Sequence, residues 1–218
     1  MNFLGHRRVL VVTAVEPERQ AVLRGLSGAG VAAESAVMVE AGGVGSAAAA
    51  AATARVLALG RFDAVLSAGI GGGIGVPIGG TTVATASIAA DLGADSPDGF
   101  IGLDELGFGT ATLATDPELV AAVTAAVPHV ATGPVLTVST VTGTLAGTRD
   151  LTARYPDAVA EAMEGFGVAT AAAQAGVPFV ELRTISNPVG PRDRDAWRIG
   201  DALEGLSEAF TCLAKLTP

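Results

Sequence analysis

Two short stretches, one near each end of the chain, bring carboxylates, a guanidinium and an amide to positions where an apolar scaffold would hold them. Glu164 closes a run containing Ala158, Val159, Ala160 and Met163, and it precedes Gly165 and Phe166. Such surroundings take at least half of a carboxylate out of water, and a buried acid without a partner or a purpose is uncommon. Arg183 lies inside the apolar run 179–185. If buried it requires a carboxylate, and Glu18 and Glu164 are the candidates. Asn187 leaves the same run just before Pro188. It either begins a turn or carries an amide out of the carboxyl end of a strand, where ligands of open α/β sheets bind. Glu16 and Glu18 flank Pro17 directly after the β-branched run 9–15. Either both are solvated and favoured by a helix dipole, or one is a general base at the sheet edge.

Other candidates carry less. The glycine-rich segment 69–75 follows an apolar run, so its backbone N–H groups could face an anion or a sugar. It lacks the Lys-Ser/Thr of a phosphate loop and does not clearly open a helix, which makes it weak as a dinucleotide fingerprint. His6 and His129 stand apart from each other and from any cysteine, so no metal constellation forms. Arg192, Asp193, Arg194 and Asp195 alternate in sign, the usual pattern of a solvated loop. Cys212, the only cysteine, falls in a helical pattern and reads as a buried, inert thiol.

The elements that position these groups alternate. Runs 9–15, 31–41, 63–68, 79–86, 134–140, 158–163 and 179–185 read as strands. Helices are predicted from Pro17 to about Leu26, from Ser46 to Leu59-Gly60, over 117–127 with Asp116 as cap, to about Tyr155, over 165–175 and over 198–216. Segment 91–109, rich in Asp, Gly, Ser and Pro, reads as a long loop at a site or an interface. Alternating strands and helices predict an α/β fold with a mostly parallel sheet, in one domain spanning residues 1–218.

Composition narrows the function classes. Half of the 218 residues are hydrophobic and only 4% are aromatic, so the core must be built from Ala, Val, Leu and Ile. A net charge of −9 argues against nucleic-acid or anionic-membrane partners, which need a basic patch. Residues 64–90 carry no charge, but their density of glycine and proline opposes a membrane span. Residues 9–15 are too few for the core of a secretion signal. A single cysteine suits a reducing cytoplasm.

In order and spacing the pieces resemble the nucleoside phosphorylase/nucleosidase superfamily over nearly the whole chain. The anchors are Ala14-Val15-Glu16-Pro17-Glu18, Gly43-Val44-Gly45, Gly69-Ile70-Gly71-Gly72, Tyr155-Pro156 leading to Ala162-Met163-Glu164, and Arg183-Thr184-Ile185-Ser186-Asn187. Within it the chain is similar to the methylthioadenosine/S-adenosylhomocysteine nucleosidases. The resemblance implies a three-layer α/β/α sandwich around a mixed, mostly parallel sheet, a nucleoside substrate, and neither cofactor nor metal. It implies that Glu18 activates the attacking water and that Glu164 holds the ribose 2′-hydroxyl as charge develops on the sugar. Met163 would pack under the ribose and Arg183 would brace the carboxylates. Val15, Val44 and Trp197 would lie near the sugar and its 5′ substituent, with Ile70 and Gly71 also against the substrate. Val141 and Thr142 would lie along the purine, where the nucleosidases carry an aromatic that this chain lacks.

One departure changes the expected substrate. Adenine-selective nucleosidases have an aspartate where this chain has Asn187. An amide cannot protonate N7, but its carbonyl accepts from an N7–H while its NH₂ donates to a 6-oxo group. Adenine would face the amide donor to donor, a mismatch of about 1–3 kcal/mol. With this amide, and with the run from Arg183 through Gly190 and Arg192-Asp193 to Trp197, the chain resembles the futalosine hydrolase family. That family removes hypoxanthine from a nucleoside bearing a carboxyphenyl-ketone extension at its 5′ end, on a route to menaquinone. Gly42, Gly43, Val44 and Gly45 would leave room for the extension, and Arg192, Arg194 or Arg198 would meet its carboxylate.

The resemblance also implies a cytoplasmic homo-oligomer, with segment 91–109 completing a neighbour's 5′ pocket. Rival readings are a methylthioadenosine/S-adenosylhomocysteine nucleosidase, a 6-oxopurine nucleoside phosphorylase and a non-catalytic purine-binding protein. Phosphorolysis needs an anion pocket, yet Ile70 stands where a hydroxyl could hold phosphate and no arginine lies in 42–46. Two carboxylates around one sugar count against mere binding.

Overall fold

A computed structural model of the chain describes residues 8–29 and 37–215. His6, the segment before Arg8, the first half of the strand predicted over 31–41 and the last residue of the helix predicted over 198–216 lie outside the described residues.

The core begins with β1 (Val9–Thr13), wholly buried. Alternate residues of a strand face opposite ways, and this strand supplies two cores. Val9 and Val11 pack with Ala21, Val22 and Leu26 of α1 (Glu16–Gly28). Leu10 and Val12 pack with Ala49 and Val56 of α2 (Ser46–Leu59). Next in sequence around the sheet come β2 (Val37–Ala41), β3 (Ala64–Gly73) and β4 (Thr81–Ala89). A hairpin of β5 (Gly93–Ser96) and β6 (Gly99–Gly102) leads to the single turn α3 (Leu103–Leu106) and to β7 (Thr112–Ala114). Then follow α4 (Pro117–Ala126), β8 (Val130–Thr137), α5 (Leu145–Arg154), β9 (Ala160–Ala162), α6 (Gly165–Ala175), β10 (Phe179–Pro188) and α7 (Ile199–Lys215).

Helices α1, α4 and α7 cover one face and α2 with α6 the other, giving the expected three layers. The sheet is mixed and mostly parallel. β3 pairs in parallel with β1 and β10, as β8 does with β4 and β9, while β10–β4, β3–β9 and β4–β7 run antiparallel. Because β3 pairs with both β9 and β10, the path β3–β10–β4–β8–β9 returns to its start. That closure sets β9, antiparallel to β3, against the carboxyl ends of the parallel strands β3 and β10. Among the described residues no helix is long and apolar enough to cross a membrane.

The structure departs from the sequence reading in several places, and Cys212, expected to be buried, is only partly so. The glycines predicted as a loop after residue 68 continue β3 to Gly73. They are small because neighbours crowd them: a Cβ would come within 2.9 Å of Glu161 O at Gly71, 2.8 Å of Val189 Cγ2 at Gly72 and 2.3 Å of Val76 O at Gly73. The predicted loop 91–109 holds a hairpin instead. Pro97-Asp98 forms its two-residue turn between the paired Ser96 and Gly99, and Gly99 takes φ +116, open to glycine. The strand predicted from Pro134 begins at Val130, and Pro134 sits where the β4–β8 register slips between Ala84 and Ser87. A bulge is where a strand tolerates proline.

The packing of α1 on α7 depends on Gly25, whose Cβ would fall 2.2 Å from Ser207 O and 2.8 Å from Phe210 Cβ. Gly25→Val should therefore lower stability by about 1–3 kcal/mol, read as a lower urea midpoint at unchanged slope. An unchanged midpoint would mean that the two helices separate without cost.

Candidate active site

Glu16 and Glu18 separate cleanly in the structure. Glu16 is exposed, paired with Arg19 at 3.0 Å, and its carboxyl is lowered chiefly by the Gln20 amide. Glu18, third in α1, turns back into the protein and is 4% exposed. Its Oε2 accepts from the N–H groups of Ala14 (2.9 Å) and Val15 (3.2 Å), the second of them a helix N-cap contact. Its Oε1 accepts from Ile70 N–H at 2.9 Å, which ties α1 to the glycine-rich end of β3. Burial pushes the Glu18 carboxyl above its ordinary range; the Arg183 charge and the Ile70 N–H oppose this, and the Glu164 charge adds to it.

Arg183 lies at the centre, 1% exposed on β10. Its Nε donates to Glu181 Oε1 (2.9 Å), its Nη1 to Glu164 Oε2 (3.3 Å) and its Nη2 to Ser67 Oγ (2.9 Å). The two glutamates raise its already high pKa further, so it is a fixed cation. Glu164, at the start of α6, also accepts from Gly45 N–H at 3.2 Å, which brings the 42–46 turn over the cluster. Glu181 is wholly buried. Desolvation pushes its carboxyl up, countered first by Arg183 and then by the Ser87 hydroxyl. Its Oε2 makes no hydrogen bond of ordinary geometry among the described residues.

Asn187 extends from the end of β10. Ser186 Oγ donates to its Oδ1 at 2.8 Å, and its Nδ2 donates to Pro188 O at 3.0 Å. Each half of the amide keeps one further bond to offer. A cavity of about 230 Å³ opens above this layer. Glu18, Glu164, Asn187, Val15, Val44, Ile70, Gly71, Val141, Thr142, Met163 and Trp197 all line it. Arg183 does not reach the cavity and lies beneath it, behind the carboxylates. Val15, Val44 and Val141 are largely exposed, so the mouth is apolar. Of the three arginines considered, Arg192 lines the cavity, with its guanidinium 5.1 Å from the Trp197 ring centre.

Sequence reasoning missed three buried members of the site. Glu181 was legible: it lies two residues before Arg183, hence on the same strand face. Ser67 holds the guanidinium from β3 but looks like any strand serine. Glu161 lines the cavity from β9 at 5% exposure, and its carboxylate accepts from both the N–H (2.9 Å) and the hydroxyl of Thr142. Its alternation with Ala160 and Ala162 was the available signal.

The closed mixed sheet with its covering helices is the fold of solved nucleosidases. The S-adenosylhomocysteine nucleosidase of Streptococcus pyogenes, solved with 5-methylthiotubericidin, superposes with TM-score 0.81 over 98% of each chain at 17% identity. That of Neisseria meningitidis, solved with methylthio-immucillin-A, gives 0.79 over 95% of this chain and 98% of that one at 19% identity. The sequence model of the Phosphorylase superfamily matches residues 16–217. Futalosine hydrolase of Streptomyces coelicolor is 49% identical over 94% of both chains, and that of Acidothermus cellulolyticus 50% identical over 94% of this chain and 89% of its own. The chain belongs to the futalosine hydrolase family of the Phosphorylase superfamily.

Gly69 tests whether the carboxylate–guanidinium layer sets activity. A Cβ there would lie 2.6 Å from Glu18 Oε1 and 2.8 Å from Arg183 Nη1. Gly69→Ala should cost about 1–3 kcal/mol of stability and on the order of 10²-fold in turnover, because small misplacements of reacting groups cost that much. Full turnover in a folded Gly69→Ala protein would show that the position of Glu18 is not critical.

Proposed function

We propose that the chain hydrolyses the N-glycosidic bond of futalosine, releasing hypoxanthine and dehypoxanthine futalosine in menaquinone biosynthesis. The observation that carries the reading is the pair Glu18 and Glu164, both buried and both lining one cavity together with the Asn187 amide. In the reaction the C1′–N9 bond breaks, the sugar becomes cationic, and a water oxygen bonds to C1′. Glu18 takes the proton from that water, and Glu164 holds the 2′-hydroxyl and stabilises the positive sugar. Two carboxylates divide the work as in glycoside hydrolysis. Asn187 receives the purine through N7–H and the 6-oxo group. The proton that reaches the base comes from solvent, since an amide is no acid.

Two features support futalosine over smaller nucleosides and over phosphorolysis. The apolar mouth formed by Val15, Val44 and Val141 suits an aromatic 5′ extension, and Arg192 beside Trp197 suits its carboxylate. Arg192 is the only basic residue lining the cavity among the described residues, and the Glu18 carboxylate would repel a phosphate anion. A cytoplasmic homo-oligomer belongs to the same proposal. The hairpin β5–β6 is the segment that would complete a neighbour's mouth, and the exposed Leu92 and Phe108 beside it are apolar surface for that contact. Sedimentation of the purified chain as a monomer would remove this part.

In phosphate-free buffer the protein should release hypoxanthine from futalosine and neither hypoxanthine from inosine nor adenine from methylthioadenosine. Release that begins only when phosphate is added would make it a phosphorylase. Glu18→Gln and Glu164→Gln should each bind substrate but lose about 10²–10⁴-fold in kcat; full turnover in either would reject its assigned part. Glu18 must be ionised to accept a proton, and burial raises its pKa. The acid limb of kcat/KM should therefore lie above the ordinary glutamate value of about 4.3, with activity present above the limb and lost as pH falls through it. A limb at or below that value would mean that a different group takes the proton.

A further inference from the structure

Glu161 is the carboxylate lining the cavity that the proposed reaction leaves without a task. Its placement is specific. β9 sets Glu161 opposite Gly72 of β3 in antiparallel register, and β10 sets Asn187 beside the same Gly72 in parallel register. Residues directly opposite one another share a sheet face. Glu161 and Asn187 therefore project to one side, two strand spacings apart, or about 10 Å between backbones. The residue between them has no side chain, and a Cβ there would sit 2.8 Å from Val189 Cγ2 and 3.5 Å from Asn187 Nδ2. The Val189 side chain covers the glycine, and the amide and the carboxylate line the cavity on either side of it.

The carboxylate wall is held firmly. Glu161 Oε1 accepts the Thr142 N–H at 2.9 Å and Oε2 accepts the Thr142 hydroxyl. These bonds use about two of the roughly four acceptor directions of a carboxylate. They also engage the Thr142 N–H, so a base entering the cavity meets an acceptor on this side and no free Thr142 donor. A 6-oxopurine carries a hydrogen on N1 and can donate to such an acceptor. A 6-aminopurine presents a bare N1 lone pair, which a carboxylate repels.

We propose that Glu161 accepts the N1–H of the leaving purine and, with Asn187 on its opposite edge, makes the cavity selective for 6-oxopurines. This rests on the reading of the cavity as the base site of a 6-oxopurine nucleosidase and assigns it a second recognition residue. Glu161 takes no part in bond cleavage. It distinguishes donor from acceptor at a ring position that Asn187 does not reach.

The test measures binding of free bases by calorimetry: hypoxanthine, 1-methylhypoxanthine, which lacks the N1–H, and adenine. The wild-type protein should bind hypoxanthine at least about tenfold tighter than either of the others, the range expected when a buried group is left unpaired. In Glu161→Gln the Thr142 N–H holds the amide oxygen and leaves NH₂ toward the base. Hypoxanthine should weaken about 10- to 100-fold, adenine should hold or tighten, and the preference should collapse. Thr142→Val keeps the backbone N–H and should retain the preference. Equal wild-type affinity for hypoxanthine and 1-methylhypoxanthine would overturn the proposal with no variant needed. So would a Glu161→Gln protein in which all three bases weaken alike, the mark of a residue that only braces Thr142. Futalosine turnover separates the two readings. A wild-type protein that prefers hypoxanthine yet leaves futalosine intact would sink the hydrolase reading and spare this one. Turnover with an unchanged base preference in Glu161→Gln would do the reverse.

Discussion

A single buried guanidinium governs the arrangement of this molecule. Arg183 touches Glu181 and Glu164 directly, and it acts on Glu18 through charge without a contact. Removing an arginine from water is costly unless its bonds and charge are matched, and three acids more than match it. If all three ionised, the cluster would carry excess negative charge in a low-dielectric layer. The structure resolves this by grading the acids. Glu181, the deepest, is pushed toward its neutral form by desolvation. Glu18 is raised too, but three backbone N–H groups hold its charged form. Glu164 shares its charge between the guanidinium and the Gly45 N–H.

Glycine is the material consequence of that charge layer. A Cβ at Gly69 would strike Glu18 and Arg183, and one at Gly165 would lie 2.2 Å from Glu181 Oε2. Gly167 lets α6 approach the start of α2, where a Cβ would meet Ser46 O at 2.0 Å. That approach brings the 42–46 turn within reach of Glu164. None of these three glycines has a φ in the left-handed region, so the constraint is space and not backbone freedom.

Much of this was legible in the sequence, and the failures have a common physical origin. The alternation of strands and helices, Asp116 as a cap and the boundaries of α2 and α6 depend on local propensity, and local reading found them. Glu164 and Arg183 were visible as polar groups in apolar contexts, whereas Glu18 and Asn187 stood open between surface and site until the family resemblance singled them out. The glycines of β3 misled because glycine usually signals a turn, whereas here the signal came from β9 and β10, far away in sequence. Segment 91–109 hid a hairpin behind turn-forming residues. Glu161 and Ser67 escaped because their importance lies in register, which pairs them with residues tens of positions away. Register belongs to the fold, and no window of sequence contains it.

Charge balance also bears on why an amide stands at 187. The cavity is already lined by Glu18, Glu161 and Glu164, with Arg192 at its mouth and Arg183 screened beneath. A fourth acid at the end of β10 would either raise the carboxyls of its neighbours, keeping Glu18 protonated to a higher pH, or take up a proton itself. An amide adds hydrogen bonds without charge and leaves the grading of the other acids intact. It surrenders the ability to protonate the departing base. That loss is tolerable for a 6-oxopurine, whose carbonyl spreads the electrons of the broken bond more effectively than a 6-amino group does. Substrate and residue then select one another: the neutral amide suits a leaving group with less need of an acid, and the carboxylates already present favour a base that brings its own N1–H.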